Sequence, residues 1–171
     1  MKIVIDLIGY AVTLICLISQ QLPKRKQILM CLAVVNLLTG VNVLLTCGLC
    51  SAVLLNIVGA LQASVNLFRC IRKTDTKQTE IILFTVLYAV CGLAGYRRLL
   101  DLIPLFGTTM FMCAIFQKKE QNMRIFSLVN VIVYFIYYCI IGSSVKYSTL
   151  VSAASISIAL YRYGKKQCIS Q

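Results

Sequence analysis

The chain contains no histidine and no tryptophan, only two prolines and only five acidic residues among 171. Without histidine it lacks a principal zinc ligand and the commonest general base, so metal hydrolysis and Ser–His or Cys–His chemistry have no starting point. The few carboxylates offer no acid pair within reach of one site, and no glycine-rich phosphate loop is present. An enzyme is therefore not expected, and neither is a metal or cofactor. Charge is scarce too: 13% of residues are charged against 60% hydrophobic, at a mean hydropathy of +0.87. A soluble domain is about a quarter charged. So few charges cannot cover a water-facing surface, and the composition points to an integral membrane protein.

A disulfide framework is excluded on similar grounds. The nine cysteines, at 16, 31, 47, 50, 70, 91, 113, 139 and 168, are odd in number and scattered, mostly within apolar runs. There a free cysteine behaves as a small hydrophobe. "CGLC" at 47–50 stands between a redox or metal pair and small-residue packing. Packing is favoured, because no histidine can complete a zinc site. The N-terminal run through Pro23 carries one lysine before its apolar stretch and three basic residues after it, which is the pattern of a retained span rather than a cleaved signal.

What the chain does have is long apolar runs and an excess of positive charge, +12 net. In a soluble protein that excess would indicate nucleic acid. Here the basic residues sit in short clusters between apolar segments, as in "QQLPKRKQ" at 20–27 and "QKKEQNMR" at 117–124. The pattern is topological, no nucleic-acid partner is expected, and anionic headgroups on the cytoplasmic face are the expected partner of the charge. Seven candidate spans are read at roughly 3–20, 28–47, 50–68, 80–96, 99–116, 125–142 and 147–163. With the N-terminus outside and the C-terminus cytoplasmic, thirteen of the 17 basic residues fall inside. Removing the fourth span lowers that to ten. The positive-inside rule favours seven. "QQLPKRKQ" is then a cytoplasmic turn in which Pro23 stops the first helix.

The two halves resemble each other. "DLIGYAVTL" at 6–14 aligns with "DLIPLFGTT" at 101–109, pairing Asp6 with Asp101 and Thr13 with Thr108. After a one-residue slip, "VVNLLTGVNVLLTCG" at 34–48 meets "LVNVIVYFIYYCIIG" at 128–142, pairing Asn36 with Asn130 and Gly48 with Gly142. The third spans end in "NLFR" at 66–69 and "ALYR" at 159–162. The expected fold is all-α: a first triple-helix bundle over residues 1–73, a linker helix within 74–98, and a second bundle over 99–171 with a short basic cytoplasmic tail. Because three is odd, the linker gives both halves the same orientation, a plan found among secondary transporters.

The "QQ-x-P-KRK" turn after the first span, the asparagine in the second span and the 3+1+3 plan resemble the YgjV-like family of bacterial inner-membrane proteins. More distantly they are similar to the PQ-loop superfamily with the SWEET and SemiSWEET sugar transporters. The YgjV-like resemblance implies an inner-membrane location. The SWEET-like resemblance implies a pathway between two bundles, prolines as hinges and polar residues on the third helix of each bundle as substrate ligands. Pro23 is here followed by lysine rather than glutamine. Pro104 is the one proline inside a span and so the candidate hinge.

Polar side chains in hydrocarbon are costly, so those that remain face protein or water. Asp6, Gly9, Thr13, Cys16 and Gln20 form a stripe on span one. Asn56, Gly59, Ala63 and Asn66 form another on span three, and Ser148, Ser152, Ser155 and Ala159 one on span seven. Asp101, Pro104 and Thr108 begin a fourth on span five. These stripes are either helix-packing surfaces or the lining of a pathway formed by spans one, three, five and seven. In the second case Asn56, Ser152, Ser155, Asn36 and Asn130 are the candidate substrate residues, suited to a neutral, hydroxyl-bearing solute. Asp6, Arg97 and Asp101 lie at the outer boundary, as a gate or a plain interfacial ion pair. "YFIYY" at 134–138 is read as an aromatic belt in preference to a stacking wall. The expected function is passive transport of a small neutral polar solute, sugar-like. The alternative is a non-transporting membrane scaffold or partner subunit.

Overall fold

The computed structural model describes residues 2–48, 51–75, 77–94, 102–140 and 145–169, with side chains described for all of these except 2, 46, 47, 138, 145–148 and 164–169. Among the described residues the chain forms seven helices: α1 Lys2–Gln21, α2 Arg25–Cys47, α3 Ser51–Arg72, α4 Gln78–Ala94, α5 Leu102–Phe116, α6 Glu120–Ile140 and α7 Val145–Ile169. Each expected segment coincides with a helix over its described residues. Three combine the length and hydropathy a bilayer crossing demands: Ile3–Gln21, Arg25–Leu45 and Ser51–Arg72, of 19, 21 and 22 residues. At 1.5 Å per residue these cover about 30 Å, the thickness of the hydrocarbon core. α4 and α5 are apolar but shorter, at 17 and 15 residues.

The helix ends follow from local chemistry. Pro23 cannot extend α1, and Lys24 takes an extended conformation (φ −105°, ψ 128°) from which α2 starts. α2 ends at Gly48, whose φ of +74° suits a residue without Cβ and whose N–H returns to the Leu44 carbonyl at 3.0 Å. Lys73 also has a positive φ (55°) after α3, and the Thr74 N–H folds back on the Arg69 carbonyl at 3.1 Å.

Six helices close a ring. α1 packs on α2, α2 on α3, α3 on α5, α5 on α6, α6 on α7 and α7 on α1, while α4 lies against both α3 and α5. The pairings α1–α2 and α2–α3 recur as α5–α6 and α6–α7, four helices on. The outer surface is apolar. On α1, Ile3, Leu7, Tyr10, Leu14 and Ile18 are exposed at helical spacing, whereas Gln20 and Ser19 are buried. Such an arrangement, greasy outside and polar within, is stable where hydrocarbon rather than water is the solvent.

Interactions between distant segments gather the basic turns at one end of the ring. Arg124 of α6 reaches the Leu22 carbonyl at 2.7 Å, and Arg25 of α2 reaches the Ile115 carbonyl at 3.0 Å. Lys118 pairs with Asp75 at 2.7 Å, and the Tyr163 hydroxyl donates to the Gln21 carbonyl at 2.7 Å. At the same end an apolar cluster, among it Ile28, Leu29, Ala63, Ile115 and Met123, fills the space between α2, α3, α5 and α6.

Candidate functional site

A cavity of about 250 Å³ lies inside the ring, with lining residues from all seven helices. α1 contributes Thr13, Cys16 and Gln20, one turn apart along the stripe that its periodicity had indicated. α2 and α3 contribute Asn36, Thr39 and Asn56. α6 contributes Ser127, Asn130 and Tyr134, and α7 Thr149 and Ser152. Tyr88 enters from α4 and Thr108 from α5. Leu32, Val35, Phe111 and Ile156 are among the apolar remainder. Among the described residues no charged side chain lines the cavity. Its polarity therefore comes from neutral amides and hydroxyls, each able both to donate and to accept.

Four of the five candidate substrate residues, Asn36, Asn56, Asn130 and Ser152, meet at this cavity. Asn36 donates from Nδ2 to the Leu32 carbonyl and Asn56 to the Ala52 carbonyl, each at 2.7 Å and within its own helix. One N–H of each amide is thereby used, and the oxygen remains for another partner. The Asn36 amide also packs flush on α3: a Cβ at Gly59 would stand 2.9 Å from its Oδ1, so only glycine fits without a shift. Asn130 repeats the device against α5. Its Oδ1 would lie 3.3 Å from a Cβ at Gly107, where the Tyr134 ring comes within 2.8 Å. Asn130 Oδ1 is buried with no hydrogen-bond partner. The two asparagines thus pack against neighbouring helices and face the cavity at once.

Ser155, the fifth candidate, is elsewhere. It is buried between α7 and α1, where its hydroxyl donates to the Leu17 carbonyl at 3.2 Å and accepts from Gln21 Nε2 at 3.1 Å. Pro104 occupies the first turn of α5, where a missing N–H costs no helical bond. Its carbonyl accepts from the Thr108 hydroxyl at 2.8 Å. Asp6 is exposed on α1. Arg97 and Asp101 lie outside the described residues, as do Cys50 and the Ser148 side chain.

Several lining residues escaped the reading of the sequence. Beyond the candidates Asn36 and Asn130, α2 and α6 also contribute Thr39, Ser127 and Tyr134, and α4 contributes Tyr88. Tyr134, assigned to an aromatic belt, instead faces inward and hydrogen-bonds to Thr108 Oγ1 at 3.1 Å. Its position four residues after Asn130, on the same helical face, was the available signal. Tyr88 gave none, being one tyrosine in an apolar linker. Its hydroxyl donates to Gln62 Oε1 at 2.8 Å, and Gln62 is fully buried on α3 with its Nε2 unpaired.

Beneath the cavity two arginines cross the ring. Arg124 is 2% exposed. Its Nε donates to the Gln20 carbonyl at 3.3 Å and its Nη2 to the Leu22 carbonyl at 2.7 Å, and its guanidinium lies 4.4 Å from the Tyr163 ring centroid. Arg25 does the same for α5 through Ile115. The last carbonyls of a helix have no intrahelical partner and carry partial negative charge. Hence α6 caps α1 and α2 caps α5, which explains why both basic turns carry more than a topological label.

Among known protein families, one described as bacterial inner membrane protein, Imp-YgjV, matches the chain over residues 3–167. No curated protein and no solved structure matches it.

Proposed function

The chain belongs to the Imp-YgjV family of bacterial inner membrane proteins, and we propose that there it is a passive transporter of a small, neutral, hydroxyl-bearing solute. The observation that carries this reading is the convergence of Asn36, Asn56, Asn130 and Ser152 on one uncharged cavity. At about 250 Å³ the cavity is smaller than the ~300–1,000 Å³ of drug-sized pockets, which suits a single sugar ring or a shorter polyol. Neutral amides and hydroxyls replace the hydration of such a solute without demanding a counter-charge. An ion- or proton-coupled carrier calls for a carboxylate, histidine or basic side chain in its pathway, and the described lining, whose titratable groups are the Cys16 thiol and the Tyr88 and Tyr134 phenols, has none of these.

On this reading the contact pattern that recurs after four helices is a 3+1+3 plan, two parallel bundles with α4 as linker and the solute between them. The basic end is the cytoplasmic end by the positive-inside rule, with the N-terminus outside, the C-terminus inside and anionic headgroups against the basic turns. Counterflow in proteoliposomes tests it, with glycerol, xylose and glucose as probes and sucrose as the oversized control. Exchange of at least one small probe is expected, with Asn56→Ala raising its half-saturation concentration about tenfold, the value of one hydrogen bond. Absence of exchange for every probe by the wild-type chain would favour a scaffold or partner subunit instead.

A further inference from the structure

We propose that Gln20 is a solute-binding residue on the floor of the cavity and that it links an occupied cavity to the arginine lock beneath it; this deepens the transport reading and rests on it. Gln20 ends the inward stripe of α1 and lines the cavity. It is 6% exposed, and its Oε1 is buried without a hydrogen-bond partner. A buried oxygen left unpaired is unfavourable, and once the Gln20 amide turns toward the cavity that its side chain lines, a solute hydroxyl or N–H supplies the missing donor.

The backbone of the same residue belongs to the lock. Its carbonyl accepts Arg124 Nε at 3.3 Å, the longer and weaker of the two contacts, while Leu22 takes the 2.7 Å bond. One residue therefore touches the solute with its side chain and Arg124 with its carbonyl. Below it the floor is closed. Ile28, Ile115 and Met123 lie in the apolar cluster, about one turn below Leu32, Phe111 and Ser127 of the lining. For solute to leave at this end, the last turn of α1 must part from Arg124. A solute held by Gln20 acts on that turn directly. The adjacent Gln21 is committed elsewhere, to the Ser155 carbonyl and hydroxyl at 3.0 and 3.1 Å, so the two glutamines of "QQLPKRKQ" have separate tasks.

The experiment combines counterflow half-saturation with apparent melting temperature, for wild type, Gln20→Leu, Gln20→Ala and Arg124→Lys, using glycerol, xylose and glucose. Gln20→Leu keeps the volume and removes the unpaired oxygen. The expected result is a half-saturation concentration about tenfold higher with a melting temperature unchanged or raised. A glutamine with a merely structural role gives the reverse, a lower melting temperature and unchanged half-saturation, and that result overturns the proposal. Gln20→Ala separates loss of the amide from any misfit of the leucine and is expected to raise half-saturation likewise. Arg124→Lys keeps the charge but cannot span both carbonyls, so half-saturation rises several-fold while folding persists; an unchanged value removes the link to the lock. If the wild-type chain exchanges none of the probes, the transport reading fails and this proposal with it. If it exchanges one and Gln20→Leu matches it, only this proposal fails.

Discussion

Replacing Arg124 by alanine is the sharpest test of how the basic end is held. The substitution removes a short charge-assisted bond to the Leu22 carbonyl (2.7 Å), a long one to the Gln20 carbonyl (3.3 Å) and a cation–π contact to Tyr163 (4.4 Å). The first is worth about 1.5–3 kcal/mol, the second about 0.5–1 kcal/mol at that distance, and the third about 0.5–2 kcal/mol. Against these, the variant no longer desolvates a guanidinium that is 2% exposed, which returns part of the loss. The expected net loss is about 2–4 kcal/mol. For a chain of this size each kcal/mol moves the melting temperature about 2–4 °C, so a fall of about 5–15 °C is expected. Thermal unfolding of detergent-purified protein measures it, and Arg124→Lys should lie between wild type and alanine. A melting temperature within about 1 °C of wild type would mean that the three contacts only repay the desolvation, and the idea that α6 caps α1 would fail.

Arg25→Ala should cost less, about 1 kcal/mol, because it removes one 3.0 Å bond and its Nε is buried without a partner; a loss equal to that of Arg124→Ala contradicts the ranking. Tyr88→Phe leaves the fully buried Gln62 with neither end of its amide paired, an expected loss of about 1–3 kcal/mol. Adding Gln62→Leu should recover most of it, and a double-mutant cycle without coupling would refute the pairing. The exposed Asp75 carboxyl is held below the ordinary aspartate range, first by its hydrogen bond from Lys118 and then by that residue's charge. A depressed carboxylate stabilises above its unfolded pKa and loses that contribution as pH falls through the lowered one. Both side chains are solvated, so Asp75→Asn and wild type should melt alike at neutral pH and in acid alike; a clear gap at neutral pH that closes in acid would show the pair to matter.

Much of this molecule was legible in its residues. Scarcity of charge placed it in a bilayer, and apolar runs and turn residues such as Pro23 and Gly48 marked the helices. Helical periodicity separated Thr13, Cys16 and Gln20 from the exposed Ile3, Leu7, Leu14 and Ile18 on the same helix. The matched Asn36 and Asn130 were visible as a pair because polar residues in hydrocarbon are too costly to recur idly. Neighbour relations were not legible. Periodicity says which face of a helix avoids lipid, but not whether that face meets another helix, as Ser155 does, or a space, as Ser152 does. That depends on the order of helices around the ring. The same holds for the arginines: a basic turn reads as a cytoplasmic label from its charge alone, while its bond to a carbonyl about a hundred residues away exists only once the closed ring brings the end of α1 within reach of α6. Composition and pattern thus determined the solvent, the helices and their inward faces. The closure of the ring decided which inward faces became a cavity and which became contacts, because that choice rests on distances between segments that no local property of the chain encodes.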